Sequence, residues 1–138
     1  MAKTPFRVEV LTPEGEVFND EVEMLSTRTS VGSIGILAGH VPLLALLDPT
    51  ELRLYRSEND VERYAQGEGF LQVTKDGVLV LVDEVQSPDR LDPTDLTERL
   101  RSAQDRFASA DPDSEDRRQA QRDMRRYEAW IKVGAGTA

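Results

Sequence analysis

A single histidine, His40, is the residue of this 138-residue chain best suited to acid–base or metal chemistry. Nucleophilic catalysis would also need a nucleophile and an orienting group at a defined spacing, and a metal would need further ligands. Ser30 and Ser33 lie nearby but match no such spacing, and the chain has no cysteine, no HExxH and no GxSxG pattern. The residues therefore favour a structural role, in which His40 pins a corner of the chain, over a catalytic one.

Three glycines, Gly32, Gly35 and Gly39, precede and surround this corner. Their spacing matches neither GxGxxG nor GxxxxGK[ST], and no lysine follows, so a phosphate-binding loop is not indicated. Glycine adopts positive φ without steric cost and commonly marks tight turns. We therefore predict strand, turn, turn and strand over residues 29–47, with His40 at the second turn.

Basic and acidic residues intermix along the last predicted helix. The arginines are Arg117, Arg118, Arg122, Arg125 and Arg126, among Asp116, Asp123 and Glu128. One interpretation is a solvated helix face with i,i+4 ion pairs, and the other is a basic surface that engages an acidic partner. The pattern leaves both open.

The first two thirds of the chain contain short runs of β-forming residues separated by turn residues. The clearest hairpin signal is residues 70–73 and 78–82 around Lys75-Asp76-Gly77. Gly67 and Gly69 flank Glu68 and predict a bulge or sharp bend. Strands recurring in this way indicate an antiparallel sandwich or barrel.

The composition changes after Val85. Residues 86–91 read as a linker, and Asp92-Pro93 is typical of a helix start. Apolar residues at helical spacing then predict two amphipathic helices broken at residues 110–113, an antiparallel helical hairpin over 92–133. The expected apolar positions are Leu96, Leu100, Ala103 and Phe107, then Ala120, Met124, Tyr127 and Ile131, with Trp130 beside them. Residues 134–138 are predicted to be disordered.

The composition excludes several classes of protein. No stretch approaches the roughly 20 apolar residues of a membrane span, and no apolar block follows the N-terminus as in a signal peptide. The absence of cysteine excludes disulfides and thiolate metal sites. A formal net charge of −9 disfavours nonspecific binding to nucleic acid or anionic lipid. These features suit a cytoplasmic protein, which can still lie beside a membrane within a larger assembly.

Several segments resemble one known family. The run GSIGILAGHVPLL (residues 32–44) is similar to the signature of the epsilon subunit of bacterial F-type ATP synthases. Residues 17–30 precede it, and residues 64–84 follow it, at the places expected for that family. The resemblance covers nearly the whole chain and is strongest over residues 4–84.

The resemblance implies an α+β fold, with an N-terminal antiparallel β-sandwich (1–85), a linker (86–91) and a regulatory C-terminal two-helix hairpin (92–133). It implies a non-catalytic rotor subunit that binds the gamma subunit and the c-ring, at the cytoplasmic face of the bacterial membrane. The c-ring contact would be the exposed loop Gly32, Ser33, Ile34 and Gly35, together with His40. Ser33 stands where family members commonly carry an acid, so a charge-paired contact there is not expected.

The resemblance also bears on the helical hairpin. The five arginines listed above would meet the catalytic beta subunits, and alpha, and slow ATP hydrolysis. Some relatives bind ATP through a motif at the first helix, which Leu91 and Asp92 match at its opening and Arg125 matches on the second helix. Asp95 and Leu96 replace the motif's arginine and alanine, so ATP binding is expected to be weak or absent and no cofactor is predicted.

Two alternatives come from other classes of protein. A stand-alone β-sandwich module with a helical docking arm would be a stable monomer without affinity for gamma. An enzyme centred on His40 would lose activity, but not its fold, on His40→Ala.

Overall fold

The computed structural model describes residues 3–136, and the chain divides into two units between Ser87 and Pro88. The first unit contains the strands β1 (Phe6–Thr12), β2 (Gly15–Val22), β3 (Met24–Thr29), β4 (Gly32–Ile36), β5 (Leu43–Leu47), β6 (Thr50–Ser57), β7 (Asp60–Gln66), β8 (Gly69–Thr74), β9 (Gly77–Val82) and β10 (Val85–Gln86). The second contains a 3-10 turn (Pro88–Arg90) and the helices α1 (Pro93–Ser109) and α2 (Glu115–Gly134).

The strands form two layers. One layer has the order β4–β3–β6–β7–β10 and the other β5–β8–β9–β1–β2, and they join where Thr29 pairs with Leu47. Alternate side chains of both layers point into one core, in which Val8, Leu25, Leu71 and Val80 are fully buried. The predicted β-sandwich is confirmed. Its pairs within the described residues are antiparallel, except that β1 and β9 pair in parallel.

Two glycines shape the turn into β8. The amide of Gly67 donates to the carbonyl of Glu84 at 2.8 Å, and that of Asp83 donates to Glu68 at 3.0 Å. A Cβ added at Gly69 would lie 1.8 Å from the carbonyl oxygen of Leu81. The backbones therefore approach too closely for any side chain at Gly69, a constraint additional to the bulge or sharp bend that the glycine pair predicted.

The first helix begins at the predicted residues, and the second begins just after the predicted break at residues 110–113. Asp92 caps α1, and its carboxylate accepts from the amide of Thr94 at 2.9 Å. Ser114 caps α2, and its hydroxyl accepts from the amide of Arg117 at 3.1 Å. The short connection contains Asp113 at φ 65° and leaves α1 and α2 as an antiparallel pair, so the predicted hairpin is confirmed.

The buried stripe of α2 was predicted correctly at Ala120 but not along the rest of the helix. The buried residues are Ala120, Asp123, Trp130 and Val133, whereas Met124 and Ile131 are only half-buried. One buried position of α2 is therefore an aspartate, Asp123, which a search for apolar residues at helical spacing does not select. The helix also runs to Gly134, one residue beyond its predicted end, and the predicted disorder of residues 137–138 lies outside the described residues.

The predicted linker contains regular structure at both ends. Gln86, in β10, pairs with Ala65 of β7, and Pro88–Arg90 forms the 3-10 turn. Leu91 then packs beside Gly134, where an added Cβ would lie 3.5 Å from the Leu91 Cβ.

Candidate functional site

The turn between β3 and β4 presents an apolar side chain to solvent. The hydroxyl of Thr29 donates to the carbonyl of Gly32 at 3.0 Å and accepts from the amide of Val31 at 3.2 Å. Gly32 has φ 138°, which favours glycine. The turn thereby holds Val31 95% exposed at its tip. We call residues 29–32 the Val31 turn.

The predicted contact residues do not form one loop. Gly32, Ser33, Ile34 and Gly35 lie in β4, where Ile34 packs against the core and Ser33 is exposed. The expectation of an exposed loop over these four residues was wrong, because β4 pairs with β3 along its whole length. The loop is the preceding Val31 turn.

His40 lies at the opposite end of β4 from the Val31 turn. The amide of His40 donates to the carbonyl of Leu37 at 3.2 Å, and Gly39 between them has φ 79°, as in a type II turn. The imidazole Nδ1 donates to the carbonyl of Val41 at 2.7 Å. These bonds agree with the corner role favoured for His40, and a whole strand separates it from Gly32.

A buried amide supports the sandwich near the Val31 turn. Gln66 is fully buried, and its Nε2 donates to the carbonyl of Asp48 at 3.0 Å. The hydroxyl of Thr27, also buried, donates to the Gln66 Oε1 at 2.8 Å. This network joins β3, β7 and the β5–β6 turn, so it fixes the base from which the Val31 turn projects.

Four large apolar side chains cover the outer surface of the second layer. They are Leu44 (69% exposed), Leu46 (54%), Phe70 (49%) and Leu81 (43%). Leu46 pairs with Phe70, and Phe70 pairs with Leu81, so these three stand side by side across three strands. We call these four residues the outer apolar face. A contiguous exposed patch of this kind typically marks a protein interaction site.

The outer apolar face was not predicted from the sequence. A signal was present, because LLALL in β5 is apolar at every position instead of alternating. Such a strand places apolar residues on both faces of a sheet. One set, with Leu47, enters the core, and the other is left outside.

The arginines of α2 are engaged within the hairpin. Arg117 lies over the Phe107 ring, 3.9 Å from its centre, and Arg126 donates to Asp123 at 3.2 Å. Arg118 and Arg122 both donate to the exposed Glu115. Some of these pairs lie in solvent, as in the first interpretation above, while Asp123 and Arg126 are largely buried. Engagement of an acidic partner stays a prediction.

The shifted pKa values reflect these pairs and burial. Hydrogen bonds from Arg122 and Arg118 lower the pKa of the Glu115 carboxyl. The backbone amide of Glu21, followed by Arg56, lowers the pKa of Asp20. Burial, and then a hydrogen bond to Glu62, raises the pKa of Tyr64. The two lowered carboxyl pKa values thus arise from hydrogen bonds at the surface, and the raised pKa of Tyr64 arises mainly from burial.

Within residues 3–136, neither helix is long and apolar enough to cross a bilayer. In the same residues, no three or more histidine or acidic side chains come together in an arrangement that could hold a metal ion.

The β-sandwich described above agrees with the family comparison. Residues 5–88 match the model of the ATP synthase delta/epsilon chain β-sandwich domain. The chain therefore belongs to the ATP synthase delta/epsilon family, as the sequence motifs predicted.

The curated relatives are epsilon chains. The chain is 37% identical to the ATP synthase epsilon chain of Priestia megaterium over 106 residues, covering 77% of this chain and 78% of the relative. It is 28% identical to that of Sulfurihydrogenibium over 130 residues, covering 94% and 97%. The resemblance to the epsilon subunit is thus confirmed and extends into the helical hairpin.

Solved structures show the same fold. A chain of the Euglena gracilis mitochondrial ATP synthase (OSCP, F1 and c-ring) superimposes with a TM-score of 0.78 at 22% identity, covering 94% of this chain and 81% of that one. A chain from the Tetrahymena thermophila central stalk and c-ring superimposes with a TM-score of 0.62 at 17% identity and full coverage of both.

Proposed function

We propose that this chain is the non-catalytic epsilon subunit of a bacterial proton-translocating ATP synthase, a part of its rotating central stalk. It would lie at the cytoplasmic face of the membrane, as a peripheral component held by its partners. The family match and the epsilon-chain relatives support this assignment. A sandwich of two interlocked layers is stiff, which suits a component that transmits torque.

The outer apolar face carries the proposal. Leu44, Leu46 and Phe70 expose apolar surface that a monomer in water gains nothing by displaying. Burying this surface against a second protein would be favourable, and we assign it to the gamma subunit. The interface would therefore lie on the β5–β8–β9 surface.

The Val31 turn is our proposed c-ring contact, together with Ser33 on the adjoining strand. Val31 is 95% exposed and offers an apolar contact, and Ser33 offers a hydroxyl but no charge. His40 is proposed to serve the corner at the other end of β4 and not the same contact surface.

The helical hairpin is proposed to regulate ATP hydrolysis by meeting the beta and alpha subunits. Arg125 is exposed on α2, whereas Arg126 is held against Asp123. An extended tail would present Arg125 to an acidic surface, and Arg126 where that surface displaces it from Asp123. Truncation after Val85 should leave assembly intact and raise hydrolysis by the complex, and unchanged hydrolysis would remove this regulatory role.

ATP binding to the hairpin is proposed to be weak or absent. Asp92 is occupied as the cap of α1, and Asp95 forms an ion pair with Arg99 on the exposed face of that helix. A phosphate placed there would face a carboxylate. A titration of the full chain showing micromolar affinity for ATP would contradict this expectation.

Co-purification with gamma tests the central assignment. Tagged chain should retain gamma without ATP, while a Leu46→Ser, Phe70→Ser variant should not. Leu37→Ser is the matched control, since Leu37 is 47% exposed but lies in the loop after β4. Failure of the unaltered chain to retain gamma would favour a stand-alone binding module.

A further inference from the structure

Asp123 joins the two helices by a charged contact. Its side chain is 12% exposed, and its Oδ2 accepts from Nη2 of Arg106 on α1 at 3.0 Å. Its Oδ1 accepts from Gln119 at 3.0 Å and from Arg126 at 3.2 Å. Three donors from both helices therefore converge on one carboxylate within the buried stripe.

This contact differs from the other acid of α2 that binds two arginines. Glu115 is 68% exposed at its side chain and binds Arg118 and Arg122, both on its own helix. Exposed pairs within one helix contribute little. A largely buried carboxylate costs more to leave unpaired, because it has lost its water. The Asp123 contact therefore opposes separation of the helices, and the Glu115 contact does not.

The same contact occupies cations that would otherwise be available to a partner. Arg126 also lies over the rings of Tyr127 and Trp130, at 5.3 and 5.8 Å. Arg106 reaches Asp123 from the opposite helix, so the two guanidinium groups neutralise one internal acid in the closed hairpin. Separating the helices would free Arg106 from this carboxylate.

We propose that Asp123 is an internal competitor for acidic partners, a latch that makes closure of the hairpin and capture of an acidic protein surface by Arg106 mutually exclusive. The latch itself depends only on the hairpin. Its effect on ATP hydrolysis rests on the regulatory function proposed above.

Amide hydrogen exchange of the full chain, followed by NMR, tests the latch. Asp123→Asn keeps the shape of the side chain and removes its charge. We expect exchange at Ala103, on the other helix, to become about tenfold faster, which corresponds to about 1.4 kcal/mol. A role confined to α2 would not change the rate at Ala103. Glu115→Gln is the matched control and should leave that rate unchanged.

A second variant guards against local damage to α2. Arg106→Gln leaves Asp123 in place and should accelerate exchange at Ala120 of α2 by a similar factor, with helix content by circular dichroism preserved. If the Asp123→Asn variant does not keep its helix content, the exchange rate at Ala120 in the Arg106→Gln variant tests the latch by itself. Unchanged exchange on the opposite helix in the folded variants would overturn the latch.

The reassembled synthase separates the two claims. With Asp123→Asn, the open hairpin should be more populated and ATP hydrolysis should fall several-fold, while the tail-less complex should show no such inhibition. Faster exchange at Ala103 with unchanged hydrolysis would keep the latch and refute the proposed regulation. Unchanged exchange would refute the latch, whatever the hydrolysis rate.

Discussion

Replacing Phe70 by alanine should weaken binding to gamma, and the loss of binding free energy should follow from the exposed area of the Phe70 side chain. Phe70 is 49% exposed and stands between Leu46 and Leu81 at the centre of the outer apolar face. A phenylalanine offers roughly 200 Å² of surface, so about 100 Å² remains available to a partner. At about 25 cal/mol per Å² this area contributes about 2.5 kcal/mol, or roughly a sixtyfold change in Kd.

Titration calorimetry of the full chain with gamma measures this effect. We expect the loss for Phe70→Ala to change little between low and high salt, because the lost contact is apolar. Leu37→Ala, at a similar exposure outside the face, should change Kd less than about threefold. A Phe70→Ala variant that stays folded and binds gamma with unaltered Kd would refute the placement of the interface.

Three further changes test the scaffold and the hairpin. Gly69→Ala should lower the free energy of unfolding by about 2–4 kcal/mol in denaturant titrations, because its Cβ would clash with backbone, whereas Gly35→Ala would meet only the flexible end of Met24. Gln66→Leu should cost about 1–3 kcal/mol by removing the acceptor of Thr27, and adding Thr27→Val should recover part of this loss; full additivity would contradict the network. Since the folded-state pKa of Glu115 is lowered, its contribution is present above the ordinary carboxyl value and is lost as pH falls through the lowered one. The difference in thermal midpoint between the unaltered chain and Glu115→Gln should therefore shrink as the pH falls below the ordinary glutamate value and vanish once the lowered pKa is passed, and a difference that persists in acid where all carboxyls are protonated would contradict the pairing.

Local signals predicted much of the fold. The Asp76-Gly77 hairpin, the Asp92 cap and the break at residues 110–113 depend on neighbouring residues, and the structure contains each of them. The parallel pairing of β1 with β9 joins residues about 70 positions apart, for which no local pattern exists.

The candidate site was less accessible to sequence reasoning. The glycines of β4 were read as an exposed loop because glycine permits turns, but only Gly32 and Gly39 adopt positive φ while Gly35 lies beside Met24 in a strand. The stripe of α2 was displaced because Asp123 reads as a surface residue until Arg106, 17 positions away, is seen to neutralise it. Charge compensation of this kind depends on tertiary contacts.

One strand links the two proposed contact surfaces. The amide of Ser30, in the Val31 turn, donates to the carbonyl of Leu46 at 3.0 Å, and the side chain of Leu46 belongs to the outer apolar face. The amide of Asp48 donates back to Arg28 at 3.1 Å. A lateral force on the Val31 turn would thus be transmitted to β5 through these two backbone hydrogen bonds. It would reach the proposed partner of the outer apolar face without passing through a flexible hinge. Because only a few short hydrogen bonds connect the Val31 turn to β5, this connection would deform little under force. Little elastic energy could therefore be stored between the two proposed contact surfaces.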